Sequence, residues 1–562
     1  MLTLNSSHAW ALTFALLFSL FVHFSLTGFA KKLQTYLIIF ITFPVVLMAL
    51  TLFIPQDLLQ FTSYFLLATG FAFSIYNLPQ RLRKLSLLYS KMDKKEKWIA
   101  LGTIIYLFSL FMRATVFADS GSLQDALVYH LEGPKEWALY LNGAKFNPNN
   151  PTSFTTSYYD YYYYFLILLI KPLFIQFAQL PSTQYEFLSY TMLLTAQIFS
   201  GIIAFIYIPV LALRFTSSLG TYKYLAIFFI FGFNLITWSW VLPKNDPYSF
   251  LCFLLGAELI LKNYIVKENN NNAFFLFLAS LIIGIGTASK MTNSYVVIFS
   301  VLFFCSFYFT QIKSYFKEIG IIKTAFIIII SLGLGTSVFL IRNILYTGNP
   351  FYPIAKFGFP NIYLSDYAYR PALYSDPTDW AGALIKIKTH LLQQPPLLFL
   401  LILALFTRAR AFSLFYISMV IYMSKQTGVM FRFRMTTIFL LLALILFIQI
   451  VHYISVQKNF RIKKVCTVLL IFIILAFSRI QIENLIKYPL KIYPQTTGEL
   501  IKYKVDYWDI LLKTNLEHHK EAKYVFAPKL EIFPYFSRFP TISLSDSVTK
   551  YRYDYYKNLL NQ

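Results

Sequence analysis

The sequence predicts an all-α polytopic membrane protein with about fourteen transmembrane helices and a small outer α/β appendage at its C-terminal end. Three observations carry that expectation. Hydrophobic residues make up 57% of the 562 and charged ones only 13%, the mean hydropathy is +0.57, and runs of the ~20 apolar residues that cross a ~30 Å hydrocarbon core recur along the chain. A soluble chain of this length would form several domains with charged surfaces, which this composition does not supply. The 49 Lys+Arg against 25 Asp+Glu leave a formal +24. In a soluble protein that surplus would suggest nucleic acid; in a membrane chain it marks cytoplasmic loops, so no nucleic-acid partner is expected. The 42 Tyr and 59 Phe suit a chain that meets two membrane interfaces many times. Cys252, Cys305 and Cys466 lie inside apolar runs, with neither a disulfide framework nor a CxxC metal site.

Taken in order, the long apolar runs fall near 9–28, 35–54, 59–79, 98–116, 187–213, 224–242, 273–288, 293–311, 322–340 and 435–452, with shorter candidates near 247–261, 395–407, 411–424 and 465–478. The first run is followed, not preceded, by Lys31-Lys32, so it reads as a span with the N-terminus outside and not as a cleaved signal peptide. The run 161–178 is aromatic at one end and contains Lys171-Pro172. If it lies in the interface without crossing, the basic clusters at Arg81/Arg83/Lys84, Lys91/Lys94/Lys95/Lys97, Arg214/Lys223, Lys262/Lys267, Lys313/Lys317/Lys323, Arg408/Arg410 and Lys458/Arg461/Lys463/Lys464 all face the cytoplasm. A crossing would flip every cluster after it, so 161–178 is read as juxtamembrane. The outer face then holds residues 117–186, the turn Pro243-Lys244-Asn245-Asp246, the 341–393 loop and the tail. Three N-terminal spans and a basic loop occupy 1–97, a membrane core 98–478 and a soluble appendage 479–562. Within the appendage, 508–521 reads as an amphipathic helix and 524–527 and 541–544 as strands.

Ionisable groups near the bilayer midplane are the mark of proton- and cation-coupled transporters, and here, of the acidic residues, only Glu258 falls inside an expected span, close to its cytoplasmic end. The carboxylates gather instead in the first outer loop, at Asp119, Asp125, Glu132, Glu136 and Asp160, with Asp246 on the same face. A water-facing cluster of acids beside an aromatic wall is what a surface enzyme acting on a lipid-linked substrate needs: a base near the acceptor hydroxyl and fixed positive charge for a leaving phosphate. Asp125, Tyr129, Glu132 and Glu136 share i, i+4, i+7, i+11 spacing, interrupted by Gly133-Pro134. The spacing Ser122-Leu123-Gln124-Asp125 also suits a helix cap, and Asp119 suits a polar stop after a span.

The string Asp125-Ala126-Leu127-Val128-Tyr129-His130-Leu131-Glu132-Gly133-Pro134-Lys135, with Trp137, resembles the first periplasmic loop of bacterial GT-C-type glycosyltransferases. Other segments agree in order: Lys244-Asn245-Asp246, Thr287-Ala288-Ser289-Lys290, Arg342-Asn343 with Thr347-Gly348-Asn349-Pro350-Phe351-Tyr352-Pro353, and Gln426 with Phe431-Arg432-Phe433-Arg434. The resemblance covers roughly residues 98–450. It implies a GT-C-like fold and an inverting transfer of a sugar from a polyprenyl-phosphate carrier to an envelope glycan, lipid or protein, as in protein O-mannosyltransferases and lipid A aminoarabinose transferases. The active site would face the periplasm from the inner membrane. By the same resemblance Asp125 takes the base position and Asp246 that of a second outer carboxylate; Asp119, in the same outer acid cluster, is a further catalytic candidate. Tyr129, His130, Lys135 and Asp160 fall on the substrate side, and Lys290, Arg342 and Arg432 or Arg434 face the carrier phosphate. Better-known members have adjacent acids in the loop, whereas Ala126 follows Asp125 here, so a divalent metal is left open.

Simpler roles exist for several of these residues: an interfacial snorkelling lysine at Lys290, an aromatic belt at Tyr158-Tyr159 and Tyr161 through Tyr164, a rigid turn at Asn349-Pro350. Arg342 runs against the positive-inside bias, which favours a functional role. His130 has no second His at metal-ligand spacing, and His518-His519 belongs to the tail. No Walker A string is present; Gly284-Ile285-Gly286-Thr287-Ala288-Ser289-Lys290 lacks the required ending. The competing readings are a flippase or transporter for a lipid-linked glycan and an O-antigen ligase- or polymerase-type enzyme, which would rely on outer Arg and His.

Overall fold

The computed structural model describes residues 6–30, 32–112, 130–139, 157–178, 182–232, 244–260, 272–290, 320–350, 379–392, 395–405, 410–426, 438–456, 525–527 and 541–543, with isolated positions between 297 and 300 and between 461 and 472. They are helical almost throughout, as a backbone in lipid must be to satisfy its own polar groups. The helices are α1 (Ser6–Thr27), α2 (Leu33–Thr51), α3 (Gln56–Lys91), α4 (Lys94–Phe111), α5 (Glu132–Leu139), α6 (Asp160–Ala178) and α7 (Ser182–Ile202). A π-helical turn, Ile203–Tyr207, leads into α8 (Ile208–Phe215), followed by α9 (Lys223–Gly232), α10 (Asp246–Ile260), α11 (Asn272–Ser289) and α12 (Ile321–Thr347). Last come α13 (Trp380–Leu392), α14 (Pro395–Leu405), α15 (Arg410–Gln426) and α16 (Ile438–Ser455).

Every apolar run of the sequence that falls among the described residues is a helix. Five are long and apolar enough to cross a membrane: α1, α2, α3, the continuous α7–α8 rod and α12. Their outward faces are apolar, with Trp10 71% and Ile322 85% exposed. Large apolar side chains on that scale face lipid and not water. The runs 293–311 and 465–478 lie largely outside the described residues. Helix α4 begins on a D-x-x-E cap, in which the Asp93 carboxylate accepts from the Glu96 amide at 2.6 Å.

The N-terminal spans are packed into the core. Helix α1 lies against α3 and α7, and His23 Nδ1 hydrogen-bonds the Tyr207 hydroxyl at 2.8 Å within the π-helical turn. The Tyr207 hydroxyl in turn pairs with that of Tyr36 on α2. Helices α11 and α12 make a close crossing, because neither Gly284 nor Gly335 carries a side chain to hold them apart. A Cβ on Gly284 would sit 2.6 Å from the Leu332 carbonyl oxygen.

The segment 161–178 departs from the juxtamembrane expectation. It forms most of α6, and from Tyr161 to Ile170 every residue is buried. Tyr162 donates to the carbonyl of Phe40 in the middle of α2, Gln60 Nε2 on α3 donates to the Leu168 carbonyl at 2.8 Å, and Tyr64 donates to that of Leu169 at 2.6 Å. An interfacial helix exposes a polar face; the tyrosines of α6, Tyr161 through Tyr164, are instead buried, with Tyr162 and Tyr163 bonded to neighbouring helices. The run Tyr158-Tyr159, Tyr161–Tyr164 is therefore an interior wall and not the expected lipid-facing belt.

In the C-terminal tail, β1 (Val525–Ala527) and β2 (Thr541–Ser543) pair in parallel, with Val525 opposite Thr541, where the strands were expected. The expected helix at 508–521 lies outside the described residues.

Candidate active site

The site grows from the heads of α5 and α6. The helical run is continuous from His130 through Leu139, its first two residues in a wider π-type turn. Gly133-Pro134 thus lies within this helical run and does not end it. Gln56 Nε2, at the start of α3, donates to the Ala138 carbonyl at 2.7 Å and holds α5 against the N-terminal spans. At the head of α6, Ser157 and Asp160 stand at S-x-x-D spacing. Asp160 Oδ2 accepts from the Ser157 amide at 2.6 Å and from its hydroxyl at 3.2 Å. Tyr158 between them donates to the Gly335 carbonyl at 3.0 Å and accepts from the Phe339 amide at 3.2 Å, tying this turn to α12.

Two turns beyond Gly335, α12 carries Arg342, which is completely buried. Its guanidinium carbon lies 5.2 Å from the Trp137 ring centroid, 5.8 Å from that of Tyr161 and 6.0 Å from that of Tyr346. The motif after it ends the helix. Asn343 Nδ2 donates to the Pro350 carbonyl at 3.2 Å, and Gly348 adopts φ 69° so that its amide closes on Ile344 at 2.9 Å. The Thr347-Gly348-Asn349-Pro350 stretch is therefore first a helix stop that fixes where Arg342 sits.

Beside it, His130 Nδ1 and Asp160 Oδ1 are 2.6 Å apart, both residues buried. Glu132, Lys135 and Glu136 on α5 are buried too, which corrects the expectation of a water-facing acid cluster. Packing of α5 on α6 turns these acids inward, and Lys135 compensates them. Burial pushes the Lys135 ammonium down to about 7, with Glu132 and then Glu136 opposing that fall.

Asp246, first residue of α10, forms an ion pair with Lys290, which follows the last residue of α11. Asn245 Nδ2 donates to the Ser289 carbonyl at 2.6 Å, and Ser249 Oγ to that of Gly286 at 2.9 Å. The acid expected as a second catalytic carboxylate and the lysine expected on the carrier phosphate are thus each other's counter-charge. This clasp connects to the first cluster through Tyr248, whose ring stacks on Tyr159 at 5.2 Å.

His130 pairs with Asp160, Arg342 packs on Trp137 of α5 and Tyr161 of α6, Lys135 is buried with Glu132 and Glu136 on α5, and Asp246 pairs with Lys290. Asp119, Asp125, Tyr129, Arg432 and Arg434 lie outside the described residues. The sequence reading assigns no role to Ser157 and only an aromatic-belt role to Tyr161; the S-x-x-D spacing at 157–160 was a usable signal. Among the described residues no group of three or more His, Cys, Asp or Glu is placed to hold a metal ion.

At the opposite end two acids are held in plain ion pairs, Glu258 with Arg214 Nε at 2.9 Å and Glu96 with Lys223 at 2.6 Å. The site end instead presents a fixed guanidinium, an imidazole–carboxylate pair and an amine near neutrality. Those are the parts of a device that moves a proton and stabilises an anion. No protein-family model, curated protein or solved structure matches this chain.

Proposed function

We propose that this chain is a membrane-embedded glycosyltransferase that moves a sugar from a polyprenyl-phosphate carrier to a cell-envelope acceptor. Burial of Arg342 against Trp137 and Tyr161, one residue from the Asp160–His130 pair, is the observation that carries the reading. A preorganised guanidinium at the end of apolar helices suits a phosphate that arrives on a lipid chain, and stabilises it most where water is excluded. The basic residues Arg81, Arg83, Lys84 and Lys91 on α3 belong to the other end, which the positive-inside rule puts in the cytoplasm, so the site faces the periplasm of the inner membrane. The proton acceptor comes from the first outer loop, where Asp125 holds that position by resemblance. The same Arg342 and His130 suit a ligase- or polymerase-type transferase, which is set apart by a diphosphate-linked donor.

The test compares envelope glycans by mass spectrometry in cells lacking the chain and cells restored with wild type, Arg342→Ala or Asp125→Asn. One sugar is expected to vanish in the deletion and to fall about 100-fold or more with Arg342→Ala at normal protein level. Unchanged glycans in the deletion sink the transferase reading. Carrier-linked sugar trapped in the cytoplasmic leaflet favours the flippase, and full transfer by Asp125→Asn removes only that residue from the role of base.

A further inference from the structure

Helix α3 runs for 36 residues, about 54 Å at 1.5 Å per residue, whereas a hydrocarbon core is about 30 Å thick. Its last turns therefore leave the core at the basic end. Arg81 marks the level, because its guanidinium donates to the carbonyls of Thr27 at 2.5 Å and Ala30 at 3.1 Å, where α1 ends. Beyond it, residues 82–91 are all exposed. Leu78, Leu82, Leu85 and Tyr89, exposed as well, recur at i, i+4, i+7, i+11 and share one face. The far face carries Arg83, Lys84 and Lys91, interrupted by Leu87.

The first turn of α4 fixes how deep this stretch lies. Lys97 Nζ is 4.6 Å from the Tyr89 ring centroid, so the end of α3 stands beside the start of α4. Trp98 follows, then Leu101, Ile104, Ile105 and Phe108, all exposed. A tryptophan at the head of a lipid-facing apolar stripe belongs at headgroup level, and Tyr89 is held at that same level. Lys94 and Lys95 add exposed positive charge. The acids beside them are already engaged: Asp93 accepts from the Glu96 amide at 2.6 Å, and Glu96 pairs with Lys223 at 2.6 Å.

We infer that the end of α3 and the first turn of α4 form a binding surface for anionic phospholipid headgroups of the adjoining leaflet. The stripe from Leu78 to Tyr89 seats among the upper acyl chains, and Arg83, Lys84, Lys91, Lys94 and Lys95 gather phosphates around it. The depth set by Trp98 favours lipid over an acidic soluble protein, which would meet this face only in water.

The test uses the full chain, freed of Cys252, Cys305 and Cys466, with an environment-sensitive fluorophore on Ser86→Cys, an exposed position at the border of the two faces. In neutral detergent it is titrated with phosphatidylglycerol, phosphatidylcholine, inorganic phosphate or polyglutamate. Phosphatidylglycerol alone should give a saturable blue shift, weakened by high salt. Arg83→Gln, Lys84→Gln, Lys91→Gln, Lys94→Gln and Lys95→Gln together should raise the half-saturating concentration about tenfold or more. Arg83→Gln with Lys84→Gln should raise it about threefold or more, so that a folding defect in the larger variant leaves the smaller one to decide. An equal shift with phosphatidylcholine, or a half-saturation that neither variant moves, overturns the inference. So does a shift with inorganic phosphate, which would mean a plain anion site, or with polyglutamate, which would mean an acidic protein partner.

Discussion

At the residue scale, Lys135 makes the site's burial measurable. Its ammonium is held near 7 in the folded chain against an ordinary 10.5. Between those values the unfolded chain carries a proton that the folded chain lacks, so stability rises with pH across that window and is flat below it. Thermal unfolding in detergent from pH 7 to 10.5 should show that rise, on the order of a few kcal/mol, and Lys135→Met should abolish it. A flat wild-type profile would mean that Lys135 is hydrated. The residues of the motif 125–137 were legible in the sequence because they sit together in it. The bond between His130 and Asp160 was not, since it depends on how α5 is laid across α6. Asp160 itself was noted for its place in the chain, and its partner Ser157 only became visible when the carboxylate was seen to reach back to it.

At the scale of elements, the crossing of α11 and α12 positions Arg342. A side chain at Gly335 would be driven onto the Leu281 carbonyl, while Gly333, two residues earlier on the same helix, has open space around its missing Cβ. Gly335→Leu is therefore expected to cost about 1–3 kcal/mol or more by overpacking and to disturb the Tyr158 bond to the Gly335 carbonyl. Gly333→Leu should be neutral or raise stability by up to about 1 kcal/mol, since Gly is the poorer helix former. Paired thermal melts of the two variants make the comparison, and equal melting would disprove the close crossing. The Gly284-Ile285-Gly286 stretch lies inside α11, and its packing role was hidden because its partner lies about fifty residues further on. Helix α6 was the harder element. Its aromatic, lysine-bearing composition suits an interface, and only the bonds from Tyr162, Gln60 and Tyr64 show it lodged inside.

At the scale of the whole molecule, the two ends differ in kind. Arg214–Glu258 and Lys223–Glu96 neutralise their acids on the basic end, while His130, Glu132, Lys135, Glu136, Asp160 and Arg342 are buried at the other. Single cysteines introduced into a chain freed of Cys252, Cys305 and Cys466 test the orientation. Ser218, exposed beside Lys223, should resist an impermeant thiol reagent applied from outside, and Asp379, exposed ahead of α13, should react. The reverse pattern would turn the proposed site toward the cytoplasm. Composition and run length were enough to indicate a helical membrane chain, and charge bias predicts an orientation, because hydrophobicity and positive-inside bias act on local sequence alone. Which ionisable groups meet was beyond that reach. Asp246 reads as an available base until Lys290 is brought against it, and His130 as an isolated ring until Asp160 is. A carboxylate's chemistry is set by its counter-charge and its water, and both are supplied by segments distant in the chain and joined only by packing.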